Sequence, residues 1–189
     1  MSPFRRMRAF VLVLASAWVF LEGLASAQQL DQLAAERVLG PEWKQLSRAA
    51  GMVFAGTVLS TAAPPNTMDQ AIPAIEMKFH VDRAIAGVHA GEVLTIREWA
   101  GVWSRQRELR PGQRVLLFLY PPGRLGLTSP VGGSLGQLAL SGKGEIVVPP
   151  AHVSVVSPKS ALPVPSPPVP ATAVRLGQLE RAIRGARKE

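Results

Sequence analysis

The chain has 189 residues, 21 basic against 13 acidic side chains, and no cysteine. That length suits one domain with appendages. Without cysteine there are no disulfide staples and no thiolate metal sites, so the fold must stand on its apolar core. The net charge of +8 is scattered rather than blocked; it is compatible with anionic partners without demanding one.

In chain order, MSPFRRMR is a basic leader, residues 9–21 form an apolar run of 13, and Ala25-Ser26-Ala27 is a small-x-small cleavage pattern. Basic, apolar and small residues in that order predict a secretory signal over 1–27. The apolar run falls short of the ~20 residues that cross a bilayer core. Cleavage leaves Gln28–Glu189, with 18 basic against 12 acidic residues, and an exported, periplasmic or extracellular protein. Residues 28–51 read as a helical lead-in. Leu30, Leu33, Ala34 and Val38 recur at helical spacing, Gly40-Pro41 breaks the run, and Pro41 suits the first position of a second helix with Trp43, Leu46, Ala49 and Ala50 on one side.

From Met52 the period changes. MVFAGTVLS (52–60) is strand-like, TAAPPNTMDQ (61–70) a loop. Ile75, Met77, Phe79 and Val81 alternate with Glu76, Lys78, His80 and Asp82, the pattern of a half-buried strand. Turns at 87–92, 110–113 and 121–124 separate VLTIREW (93–99), RVLLFLY (114–120) and a weak LGLTS (125–129). QLALSGKGEIVV (137–148) reads as a hairpin tipped by Gly142-Lys143-Gly144. Five or six strands over 52–150 with no helical pattern between them predict a mainly β (α+β) fold, a small antiparallel OB-like barrel; a β-sandwich is the alternative. Residues 151–171 are a proline-rich linker, with six prolines in 157–170, extended and semi-rigid. Residues 172–189 read as a basic amphipathic helix with Val174, Leu179, Ile183 and Ala186 on one face. It suits docking on the barrel or on a partner, and its basic pattern also suits contact with an anionic membrane surface.

Three constellations bear on chemistry. Gly132–Gly136 spells G-x-S-x-G, the string of a nucleophile elbow at Ser134. An elbow needs a strand before it, a helix after it, and a later acid and histidine. Here the following residues look like strand, the only later histidine is His152 and the only acid between it and Ser134 is Glu145, so the glycines are read as a turn. His80, His89 and His152 lack the close pairing of a zinc site. Trp99 and Trp103 among Arg97, Arg105, Arg107 and Arg110 form the best candidate binding surface, for an exported protein, a peptide or an acidic glycan. Aromatics beside arginines also suit single-stranded nucleic acid, from most of which export would separate the protein. No catalytic residue, metal or cofactor is assigned.

The stretch GMVFAGTVLS, IEMKFHVDRAIAG, GEVLTIREW, LRPGQRVLLFLY and GLTSPVGGSLGQLAL resembles uncharacterised exported bacterial proteins that are similar to netrin-type and tissue-metalloproteinase-inhibitor-like OB domains. The shared rhythm is an internal Gly56, a long second strand ending near Gly87, and a Pro111-Gly112 turn before Leu117-Phe118-Leu119. The resemblance covers residues 50–148 and implies a barrel and a binding role. The inhibitors' zinc-chelating N-terminal cysteine has no counterpart here, so that mechanism does not carry over.

Overall fold

The computed structural model describes residues 28–62, 73–103, 108–148 and 172–189. The leader, most of the 61–70 loop, Arg105, Arg107, His152 and the proline-rich linker lie outside the described residues. Helix α1 (28–39) and helix α2 (Trp43–Ala49) form the lead-in. The helical period of α1 holds, but its phase differs from the expected one. Leu30 and Leu33 are 61% and 50% exposed, while Asp31, Ala34, Ala35 and Leu39 are buried. The reason is a partner on a distant helix. Arg181 Nε and Nη2 donate to the Asp31 carboxylate at 2.7 and 2.9 Å. A forked charge-assisted pair makes burial of an acid tolerable. Helix α2 starts two residues after Pro41 and buries Trp43, Leu46 and Ser47, with Ala49 left exposed. Ser47 Oγ donates to Trp43 O at 2.7 Å, which is how a hydroxyl is accommodated on the buried side.

Strands β1 (Met52–Ala62), β2 (Ala74–Ala86), β3 (Val93–Trp99), β4 (Arg114–Leu119) and β5 (Gln137–Ala139) form one antiparallel sheet in the order β3-β2-β1-β4-β5. The mainly β, α+β class read from the pattern is the observed one. The β1–β2 register slips three times, at Val53/Phe54, Ala55/Gly56 and Val58/Ser60, and each slip bends and twists the strand. Gly56 sits at one of these bends. A Cβ there would lie 2.6 Å from His80 O, so the close approach of β2 requires glycine.

The bent sheet is buried on both faces in its middle. One cluster gathers Phe54, Phe79, Val81, Ile96, Leu117 and their neighbours inside the curl; Phe54 and Phe79 meet edge-to-face at 5.7 Å. The other gathers Val53, Ala55, Leu116 and Phe118 against the helices. Strand β4 is therefore apolar without alternation, because Val115, Leu117 and Leu119 enter one cluster while Leu116 and Phe118 enter the other.

As a hydrogen-bonded ladder the sheet is not closed, since β3 and β5 stand at its two edges. The segment between β4 and β5 bridges both β3 and β4. Leu127 bridges Arg97 of β3 in parallel, and Pro130 bridges Leu119 of β4 antiparallel.

The expected 137–148 hairpin is present at its tip, where Leu140 bridges Ile146 antiparallel, and is corrected in its arms. The turn exists, with Ser141 N donating to Glu145 O at 2.8 Å. Its arms, however, join different sheets: β5 pairs with β4, and β6 (Glu145–Val148) pairs with β7 (Thr172–Arg175). Strand β7 also shortens the expected terminal helix, which becomes α4 (Leu176–Ala186). Val174 packs as a strand residue opposite Ile146, a placement its β-branch favours. Helix α4 buries Leu176, Leu179, Ala182, Ile183 and Ala186 in the same cluster as Leu39, Trp43 and Leu46. Arg187 Nη1 fastens its end by donating to Ser47 O and to Ala50 O. The sandwich alternative is not observed among the described residues: helices face the main sheet, and the second sheet has two strands.

Candidate functional site

The alternation of β3 sends Ile96 and Glu98 inward and leaves Arg97 and Trp99 exposed. These two predicted residues therefore share one face of an edge strand. Helix α3 (Ala100–Trp103) follows directly, fastened by Ala100 N to Pro73 O at 2.9 Å. Gly101 gives the Trp99 indole its place, since a Cβ there would lie 2.7 Å from the ring. The backbone of Trp103 closes α3. Arg110 is exposed on the turn before β4, its N–H donating to Gln113 Oε1 at 3.2 Å.

The sequence reading missed the other wall. Beyond β4 the chain runs through Tyr120, Pro121 and Pro122 into a loop held on itself and on β3. Tyr120 N donates to Ser129 O at 3.0 Å, and Thr128 N to Arg97 O at 2.9 Å. Thr128 Oγ1 returns to Tyr120 O at 2.6 Å. These bonds shape an open trough of about 280 Å³ lined by Trp99, Tyr120, Pro121 and Leu127 among others. Trp99 is 48% and Tyr120 43% exposed. Two large rings held half in water by a hydrogen-bonded loop offer apolar area, a phenol and an indole N–H to a ligand at low entropic cost. One signal for Tyr120 was available: it is the chain's only tyrosine, and it ends a buried run immediately before two prolines.

The other sequence candidates separate. Gly132 and Gly133 take φ of 68° and 64°, the left-handed region that glycine enters without a Cβ penalty. Ser134 lies exposed on the single 3-10 turn Gly133–Gly136, which runs straight into β5. His80 Nδ1 meets Asp82 Oδ1 at 2.9 Å, and Asp82 Oδ2 accepts from Thr57 Oγ1 at 3.0 Å with Arg114 Nε at 3.4 Å. Burial pushes the Asp82 carboxyl up. The hydrogen bonds with His80 and Thr57 and the charges of Arg114 and His80 outweigh it and hold the group below the usual carboxylate range. His89 lies beside Glu92 at 3.7 Å in the β2–β3 turn. No described helix is long and apolar enough to cross a membrane.

No protein-family model matches the chain, and no curated protein matches its sequence.

Proposed function

We propose that the chain is an exported, non-catalytic binding or protein-interaction module, and that it binds through the Trp99–Tyr120 trough. The observation that carries the reading is the pairing of two half-exposed aromatic rings, Trp99 at the end of β3 and Tyr120 at the start of the loop that β3 braces. An OB-like, netrin-type ancestry accords with the five antiparallel strands and with the parallel bridge from β3 to the segment after β4, because an OB barrel is five-stranded and only partly open. The run of Ser134 into a strand instead of a helix favours binding over a serine hydrolase. The leader reading places the exported form from Gln28 onward, which the mass of the exported chain tests.

The ligand classes that fit are an exported protein, a peptide or an acidic glycan. Isothermal titration of the full chain with a proline-rich decapeptide, a heparin-derived oligosaccharide and oligodeoxythymidine separates them. Saturable binding of the peptide or glycan, weakened by more than about 1 kcal/mol in Trp99→Ala and Tyr120→Ala, is expected. Tight, salt-sensitive binding of oligodeoxythymidine that depends on Trp99 would replace this reading with the nucleic-acid one, for which Arg97 beside Trp99 is the supporting observation. Affinities untouched by either substitution would remove the trough from the function.

A further inference from the structure

A second concavity, separate from the aromatic trough, opens where β2, β4, the 141–145 turn and the start of α4 meet. It measures about 380 Å³, and the buried Ala55 lies in its lining. Four basic residues line it: Arg83, Arg114, Lys143 and Arg175, against the carboxylates Asp82 and Glu145. That leaves a surplus of two positive charges in the lining. Two of the cations are committed. Arg114 leans on Asp82 at 3.4 Å and donates to Gly142 O at 3.3 Å; Arg83 Nε meets Glu180, outside the lining, at 3.3 Å. Among the described residues no ion pair engages Lys143 or Arg175, although Arg175 lies opposite Glu145 in the β6–β7 register.

The charge arrangement works against the fold's own local rules. Arg175 occupies the N-cap of α4, where Ser, Thr, Asp or Asn would accept from the first-turn amides and a guanidinium cannot. The first turn carries no acid. The positive end of the helix dipole is thus surrounded by further positive charge. Crowding four cations around a concavity that holds only two carboxylates is a conflict between local and global preference, and such conflicts are expected at functional sites.

We propose that this basin binds an oxyanion of the phosphate or sulfate class. The committed Arg83 and Arg114 form a fixed cationic wall, and Lys143 and Arg175 close on the anion. Arginine supplies forked donors matched to such oxygens, and lysine a point charge. The free phosphate ion, an anionic lipid headgroup and a sulfated glycan share this chemistry.

The test is titration of the full chain with inorganic phosphate at constant ionic strength, read by the amide resonances of Gly142, Gly144 and Gly177. Saturable shifts are expected, with affinity falling about ten-fold in Lys143→Glu and in Arg175→Glu. Lys188→Glu makes the same charge change away from the basin and should leave affinity within about two-fold. If Arg175→Glu fails to fold, Lys143→Glu carries the test alone, because Lys143 sits exposed on a turn tip. Competition then separates the sources. Displacement of phosphate by phosphatidylglycerol vesicles assigns a lipid headgroup, displacement by a heparin-derived tetrasaccharide a sulfated glycan, and displacement by neither the free ion. Absence of saturable shifts up to about 50 mM phosphate, or equal weakening by Lys188→Glu, overturns the site. None of these outcomes depends on the aromatic trough.

Discussion

Asp82 shows how a single side chain gains its role from residues that are remote in sequence. The alternation of β2 placed it on the polar face, and it is there. What the alternation did not carry is the register that sets Thr57 opposite His80 on one side and opposite Arg114 on the other. Register shifts that leave Asp82 itself and Ile85 of β2, and Leu59 of β1, without a partner fix that register, and a bulge leaves no mark in a hydrophobic pattern beyond a glycine opposite it such as Gly56. Because the folded carboxyl is held below its ordinary value, its contribution is present at neutral pH and is lost as pH falls through the folded value. Asp82→Asn should therefore lower stability at pH 7 by about 0.5–1 kcal/mol, given the partial exposure of the cluster. The gap between the two proteins should close as pH drops below about 4. Urea unfolding of both at the two pH values measures it, and a gap that widens in acid would contradict the assignment.

At the level of elements, strong periodicity was legible and edges were not. β1 to β4 lie where alternation or apolar runs put them, because each has a face or two to bury. The four residues of β7 were hidden inside a helical reading, since a short β-branched stretch at a helix start fits either period. The arms of the 141–145 turn meet only at the Leu140–Ile146 bridge, because β5 pairs along β4 and β6 pairs along β7 from across the linker. The aromatic trough was half legible: Trp99 and Arg97 stood out as an aromatic beside a cation, whereas Tyr120 reaches the same trough only through the loop that folds back on β3. Helix α4 docks its apolar stripe within the molecule, and that docking has a measurable weight. Leu179 is fully buried, so Leu179→Ala should cost about 2–5 kcal/mol in chemical denaturation. A cost under about 0.5 kcal/mol, the usual range for exposed positions, would mean that the helix does not stay docked in solution.

Across the whole molecule the lead-in and the last helix are clasped together. The Asp31–Arg181 fork joins α1 to α4, and Lys44 and Arg48 reach Glu189 at 3.2 and 3.3 Å. Sequence patterns gave each helix separately and were silent on this clasp, because nothing local to α1 announces that an acid rather than Leu30 or Leu33 turns inward. Arg181→Ala should leave Asp31 buried and unpaired, and so destabilise the protein more than Asp31→Ala/Arg181→Ala does, in a thermal or urea double-mutant cycle. Additive single effects would mean that the two side chains act independently.

That clasp also sets an order of events during synthesis. Leu39 and Leu46 belong to a cluster completed by Leu179 and Ile183, so a nascent chain still lacking α4 emerges from the ribosome with those side chains uncovered. Contacts this distant in sequence close late. The half of the core between sheet and helices is thereby the last to be sealed, while the Phe54–Phe79 half needs no residue of α4.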